Sequence, residues 1–176
     1  MIEIKTAEPN QLDSIVALYK SCGQDMLQKG FDNWGADYPP VESVQKDIED
    51  KQLYCLIEGN KLLAVIVLDE KQPDQYKTVN WQFQASKILV VHRLAVAITE
   101  RKKGYARQLM QFAEDYACQY NYPLIRLDAY SINHSLLKFY ERLGYQSAKE
   151  AIYLGANIKH PFICFEKRLS DNRNRT

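Results

Sequence analysis

Residues 99 to 110 read TERKKGYARQLM. Arg101, Lys102 and Lys103 stand directly before Gly104, and the residues after it have the spacing of a helix. A helix N-terminus already carries positive partial charge, so cations there are locally unfavourable. Either the run is a solvated turn or something anionic sits on it. A glycine at a strand-to-helix turn lets backbone approach a ligand closely, because no Cβ intervenes. The N–H groups of the first helical turn then point at that ligand, a ready site for pyrophosphate. A second chemical pattern is NHSLLKFYERLGY, where Asn133 opens a helix and Tyr140 follows two turns later. A third is His92, a titratable ring inside the apolar stretch SKILVVHRLAVAI. Its plain reading is a buried, hydrogen-bonded strand histidine.

Composition limits what these residues can serve. A chain of 176 residues suits one domain, set here at 1–169 with a polar tail at 170–176. The apolar share of 46% and charged share of 26% are those of an ordinary soluble protein. The net charge of +1 removes the bulk basic character that nucleic-acid or membrane binding needs, so any anion site must be local. Cys22, Cys55, Cys118 and Cys164 are widely spaced with no CxxC pair, which fits buried thiols in a reducing cytoplasm. The opening MIEIKTAEPN does not read as a signal peptide, and no run of about 18 apolar residues is present for a membrane span. The SDNRNRT tail, without an apolar residue, is the one segment expected to be disordered.

The elements that must position these residues follow from periodicity. MIEIK alternates as a short strand. A helix follows from Asn10 as its cap, with Leu12, Ile15, Val16 and Tyr19 as its apolar stripe. QKGFDNWGADYPP is a loop that carries Phe31, Trp34 and Tyr38, aromatics that either pack onto the domain or wall a binding site. Pro40 opens a short helix over 41–51. Strands near 53–58 and 61–69 form a hairpin, and residues 70–85 are loop-like. The apolar run 86–98 is a central strand covered on both faces. A helix from Gly104 to Tyr120 places Tyr105, Leu109, Phe112, Tyr116 and Tyr120 on what reads as a core stripe. PLIRLDAY is a strand, Asn133 caps the helix that Gly144 stops, and two strands close the chain.

LAVAITERKKGYARQLM followed by NHSLLKFYERLGY resembles the GNAT superfamily of N-acetyltransferases, closely over residues 88–146. RKKGYA fits that family's Q/R-x-x-G-x-G/A loop, with Ala106 in the last place. The resemblance implies a single-domain α/β fold: a mixed, mostly antiparallel central sheet flanked by helices, with splayed central strands. It implies acetyl-CoA as co-substrate. Backbone at Leu94, Ala95 and Val96 would bond the pantetheine arm. The N–H groups of Arg101, Lys102, Lys103, Gly104, Tyr105 and Ala106 would hold the pyrophosphate. Asn133 would contact the pantetheine, and Tyr140 would lie near the thioester sulfur.

The chemistry so implied is attack of an amine on a thioester carbonyl. Tyr140 is the candidate general acid for the leaving thiolate. Its plain reading is one of twelve tyrosines, packed on a helix. An alkyl amine is mostly protonated at neutral pH, so a base or a water chain must take its proton. His92 is the candidate, two residues before Leu94 and therefore on the same strand face. The glutamate that other relatives carry earlier on this strand is missing, since Leu89, Val90 and Val91 stand there. Asp128 could touch substrate, pair with Arg126 or cap the following turn, and Trp34 and Tyr38 are candidates on the acceptor side. The acceptor is a small-molecule or peptide amine. No metal, nucleic acid or membrane enters this reading, and the last strands are open to pairing in a homodimer. The alternative from another class is an acyl-CoA-binding sensor that does not catalyse.

Overall fold

A computed structural model describes residues 1–35 and 37–169. The SDNRNRT tail, and with it the expectation of disorder, lies outside the described residues. The strands are β1 (Ile2–Thr6), β2 (Leu53–Glu58), β3 (Lys61–Asp69), β4 (Ile88–Val96), β5 (Leu124–Tyr130), β6 (Gln146–Ile152) and β7 (Phe162–Arg168). The helices are α1 (Leu12–Gln28), α2 (Val41–Glu49), α3 (Tyr105–Gln119) and α4 (His134–Arg142). The strands form one open, mixed sheet in the order β1-β2-β3-β4-β5-β7-β6. Burial explains the order. Residues 63–69 of β3 and 88–91 of β4 are buried without interruption, as central strands require. β1 and β6 alternate exposed and half-buried positions and stand at the edges.

Contacts divide the chain into two compact units: Met1–Asp69 with Val91–Ala113, and Glu70–Val90 with the chain from Glu114 onward. In the first, β1 pairs antiparallel with β2, and β2 with β3. α1 buries Ile15, Leu18, Tyr19 and Cys22, the i, i+3, i+4, i+7 stripe of an amphipathic helix. These join Val44 and Ile48 of α2 and Leu53, Cys55, Val65 and Val67 of the hairpin in one core. In the second unit, Ile88–Val90 of β4 pair in parallel with Leu124–Arg126 of β5, and β5 pairs antiparallel with β7 along its length. Its irregular segment is fixed by Trp81, whose Nε1–H donates to the Tyr76 carbonyl at 2.9 Å, and by Arg126, which stacks on the Trp81 ring at 4.0 Å and donates to the Phe83 carbonyl.

Three local expectations differ from what forms. Asn10 does not cap α1; it sits inside a 3-10 turn, Pro9–Gln11, closed by a capping box between Glu8 and Gln11. The Gln11 side chain reaches back to the Glu8 N–H at 2.8 Å, and this reciprocal pair outcompetes a lone asparagine. Residues 74–78 within the expected loop form a second 3-10 turn. The aromatic stripe of α3 is core only at one end. Leu109, Met110, Ala113 and Ala117 are fully buried, whereas Tyr120 is 47% exposed and lies tilted against Tyr116, 4.4 Å between ring centres. The buried face is rotated toward the small residues, which let the helix sit close.

Candidate functional site

The turn between β4 and α3 lies wholly in the first unit. It leaves β4 with the Ala97 N–H bonded to the Leu63 carbonyl at 2.9 Å, passes through a 3-10 turn at Ile98–Glu100, and enters α3 at Tyr105. Lys102 (φ +66°) and Gly104 (φ +85°) both take the left-handed conformation. Only glycine adopts it without penalty, so Gly104 is the residue that lets this turn close. A Cβ built at Gly104 would meet nothing within 4 Å, so the space over it is open. The first N–H groups of α3, at Tyr105 and Ala106, have no carbonyl a turn behind them in the helix. Open space over a glycine at such a helix start fits a pyrophosphate.

Two of the three cations have partners within the protein. The Arg101 guanidinium bonds Asp25 of α1, whose carboxyl is held below the usual carboxylate range by bonds from Lys29 and Arg101. Lys103 reaches Glu100 at 2.8 Å and Lys61 of β3 reaches the same carboxylate at 2.6 Å. Those two ammonium groups, Lys103 foremost, hold the Glu100 carboxyl down to about 2. Lys102 is exposed. The run of cations at a helix start is therefore offset by Asp25 of α1 and by Glu100 within the turn itself.

β4 carries the next residues. His92 Nε2 lies 2.9 Å from Oδ1 of Asp69, the last residue of β3. The carboxylate side chain is 3% exposed and the imidazole 21%. Arg93 has φ +48°, which breaks the strand's two-residue alternation, so the expectation that His92 and Leu94 share a face does not carry across it. At this irregularity the Arg93 guanidinium bonds Asp47 of α2, and the Arg93 carbonyl accepts from the Tyr19 hydroxyl at 3.1 Å. Burial pushes the Tyr19 hydroxyl's pKa up, so it stays a donor. Ala95 is buried and Leu94 half-buried. The Val96 carbonyl accepts from the Cys22 thiol at 3.4 Å, which uses one of its two lone pairs. Trp34 and Tyr38 come together at 5.6 Å between ring centres, and Trp34 meets Tyr19 edge-on at 5.7 Å. The early loop thus brings its aromatics to the same cluster as Arg93.

Asn133, Tyr140 and Asp128 belong to the second unit. Asn133 caps α4, its side-chain oxygen accepting from the Leu136 N–H at 3.2 Å. Tyr140 is 5% exposed and its ring packs among Phe139, Tyr145 and Phe165. Burial raises its pKa, and the nearby Asp128 carboxylate raises it further, so the hydroxyl is protonated across the physiological range. Asp128 accepts from the Tyr76 hydroxyl at 2.7 Å. Arg126, the partner weighed for Asp128, instead donates to Gln72 at 2.8 Å and to the Phe83 carbonyl at 2.9 Å.

Sequence reasoning missed Asp69, Asp47, Tyr76, Asp25 and Glu100. Asp69 left a trace, as a carboxylate ending the apolar run KLLAVIVLD. Asp47 and Asp25 look like any other surface carboxylate until the fold brings a cation to them, whereas Glu100 stands beside its cations in TERKK and the fold adds Lys61.

The acetyltransferase (GNAT) family model matches residues 12–145. No curated protein matches the sequence. Among solved structures, a GNAT family acetyltransferase from Streptococcus agalactiae is 21% identical with a TM-score of 0.81, covering 96% of this chain and 96% of its own. The yncA protein of Salmonella typhimurium, seen with its cofactor acetyl-CoA, is 12% identical with a TM-score of 0.70, covering 98% of this chain and 96% of its own. A PaiA N-acetyltransferase from Thermoplasma acidophilum in complex with coenzyme A is 16% identical with a TM-score of 0.70, covering 96% of this chain and 99% of its own. At these identities the likeness is one of fold, and it is the family match over most of the chain, joined to the glycine turn after β4, that shows this chain to belong to the acetyltransferase (GNAT) family.

Proposed function

We propose that the chain is an acetyl-CoA-dependent N-acetyltransferase that moves an acetyl group to a primary amine of a small molecule or peptide by direct attack. The observation that carries this reading is the open, left-handed turn at Gly104 leading into α3, inside the segment matched by the family. The neighbours from Salmonella typhimurium and Thermoplasma acidophilum bind acetyl-CoA and coenzyme A respectively, which supports the same ligand here. The N–H groups from Lys102 to Ala106 would hold the pyrophosphate, that of Arg101 being turned to the Ile98 carbonyl at 3.4 Å, with the Arg101, Lys102 and Lys103 side chains adding charge at the rim. Backbone at Leu94, Ala95 and Val96 would bond the pantetheine arm, and the Asn133 amide would donate to it.

Bound acetyl-CoA supplies the activated acyl group; the chain supplies position and proton transfer. Holding both substrates in one complex removes much of the entropic cost of attack. His92 takes the proton from the attacking amine, and Tyr140 gives one to the leaving thiolate. A backbone N–H at Leu94 or Ala95 steadies charge on the carbonyl oxygen. Trp34 and Tyr38, gathered beside Arg93, serve the acceptor, and Asp128 contacts it from β5. Four thiols without disulfide partners fit a reducing, cytoplasmic setting.

The test is release of coenzyme A thiol from acetyl-CoA across amines, amino acids, aminoglycosides, polyamines and peptides. Release that depends on one acceptor class supports the enzyme and names its substrate. Tight binding of acetyl-CoA with no release against any class favours the sensor.

A further inference from the structure

We infer that Asp69 is a positioning residue for His92, fixing its tautomer so that Nδ1 is the nitrogen that takes the acceptor's proton. This rests on the proposed role of His92 as base. Asp69 ends β3 and its side chain is 3% exposed, while Oδ1 lies 2.9 Å from His92 Nε2. An ionised carboxylate only accepts, so an Nε2 atom facing ionised Asp69 carries the hydrogen. Neutral imidazole has one N–H, and with that hydrogen on Nε2 the lone pair is on Nδ1. Orientation follows as well as tautomer. The Arg93 irregularity directly after His92 breaks the strand's pleat, so alternation along β4 does not set the ring's direction, and the bond to Asp69 is a contact that holds Nε2 toward β3.

As the amine nitrogen bonds to the acyl carbon, its proton passes to Nδ1 and an imidazolium forms beside the Asp69 carboxylate. The carbon–sulfur bond breaks, the thiolate takes the Tyr140 hydroxyl proton, and solvent restores both residues. The new positive charge on His92 appears against a buried, fixed negative charge, so its formation needs no reorganisation of water. Asp69 neither gains nor loses a proton.

The experiment is nitrogen NMR of the 15N-histidine-labelled full chain, joined to kinetics. With three histidines in the sequence, the His92 signal is assigned by its disappearance in His92→Gln. The wild-type spectrum should show neutral His92 with the hydrogen on Nε2. Asp69→Asn keeps the shape but offers either an amide oxygen or an NH2 to the ring, so the tautomer should become mixed or invert. Its kcat should fall roughly 10- to 100-fold, a part of the ~10²–10⁴ that a general base contributes, with the KM for acetyl-CoA unchanged. Asp69→Glu, which retains the carboxylate, should recover part of the loss. A wild-type spectrum with the hydrogen on Nδ1 would overturn the inference without any variant having to fold. So would an Asp69→Asn enzyme with wild-type kcat while His92→Gln is slow. If His92→Gln itself turns over normally although the tautomer is as stated, the fault lies in the reading of His92 as base.

Discussion

Asn133 has two roles that substitution can separate. Its side-chain oxygen caps α4 through the Leu136 N–H at 3.2 Å, and its NH2 is proposed to donate to the pantetheine. Asn133→Ala removes both. Loss of such a cap costs about 1 kcal/mol within a range of about 0.5–2. For a chain of this length that lowers Tm by roughly 2–4 °C per kcal/mol. Asn133→Asp keeps an accepting oxygen over the Leu136 N–H and places a negative charge at a helix start, which the macrodipole favours. Its Tm should equal or exceed the wild type. It has no NH2, however, and leaves a ligand carbonyl without its donor. That costs about 1–3 kcal/mol, or roughly 5- to 150-fold in the Kd for acetyl-CoA. Scanning fluorimetry and calorimetric titration read the two effects separately. The expected pattern is Asp weak in binding but stable, and Ala weak in both. If Asn133→Asp binds acetyl-CoA as tightly as the wild type, the residue is a helix cap and nothing more, and the proposed donor to the pantetheine must be sought elsewhere.

Gly104→Val should abolish acetyl-CoA binding while costing only about 1–2 kcal/mol of stability, because the added side chain meets no protein atom but enters a left-handed conformation and fills the space over the turn; denaturant titration and ligand titration compare the two losses, and equal losses would refute this. Tyr140→Phe should retain the fold and the KM for acetyl-CoA and lower kcat by ~10²–10⁴, the share of one general acid; unchanged turnover would remove it from the mechanism. Glu100→Gln tests the electrostatics of the turn. A carboxyl whose pKa is depressed in the fold contributes stability that is present above its unfolded value, about 4.3, and is lost as pH falls through its folded value of about 2. The wild type should therefore be the more stable near neutral pH, and the Tm difference should close between about pH 4.5 and 2; a constant difference would place the effect in packing instead.

The local features of this chain were legible and the non-local ones were not. The apolar run of β4, the glycine before α3 and the asparagine at the start of α4 announce themselves within a few residues, since each is set by neighbours in sequence. The Asn10 cap failed even at that range because the Glu8–Gln11 capping box drew Asn10 into a 3-10 turn ahead of α1. The aromatic stripe of α3 misled because spacing gives a face, not how far that face is rotated from the core. The pairing of His92 with Asp69 joins positions 23 apart in sequence, and that of Arg101 with Asp25 joins positions 76 apart. No periodicity carries such information. Alternation predicted that His92 and Leu94 share a face, and the left-handed Arg93 between them removed that inference. The candidate residues were thus identifiable by type, whereas their partners, which determine protonation and direction, became visible only with the fold.

The most direct test of the account is calorimetric titration of the full chain with acetyl-CoA, because it requires no knowledge of the acceptor. Binding should saturate at one site per chain, weaken with salt as expected for a pyrophosphate held by N–H groups and cations, and be lost in Gly104→Val. A folded wild-type chain that takes up no acetyl-CoA would contradict it.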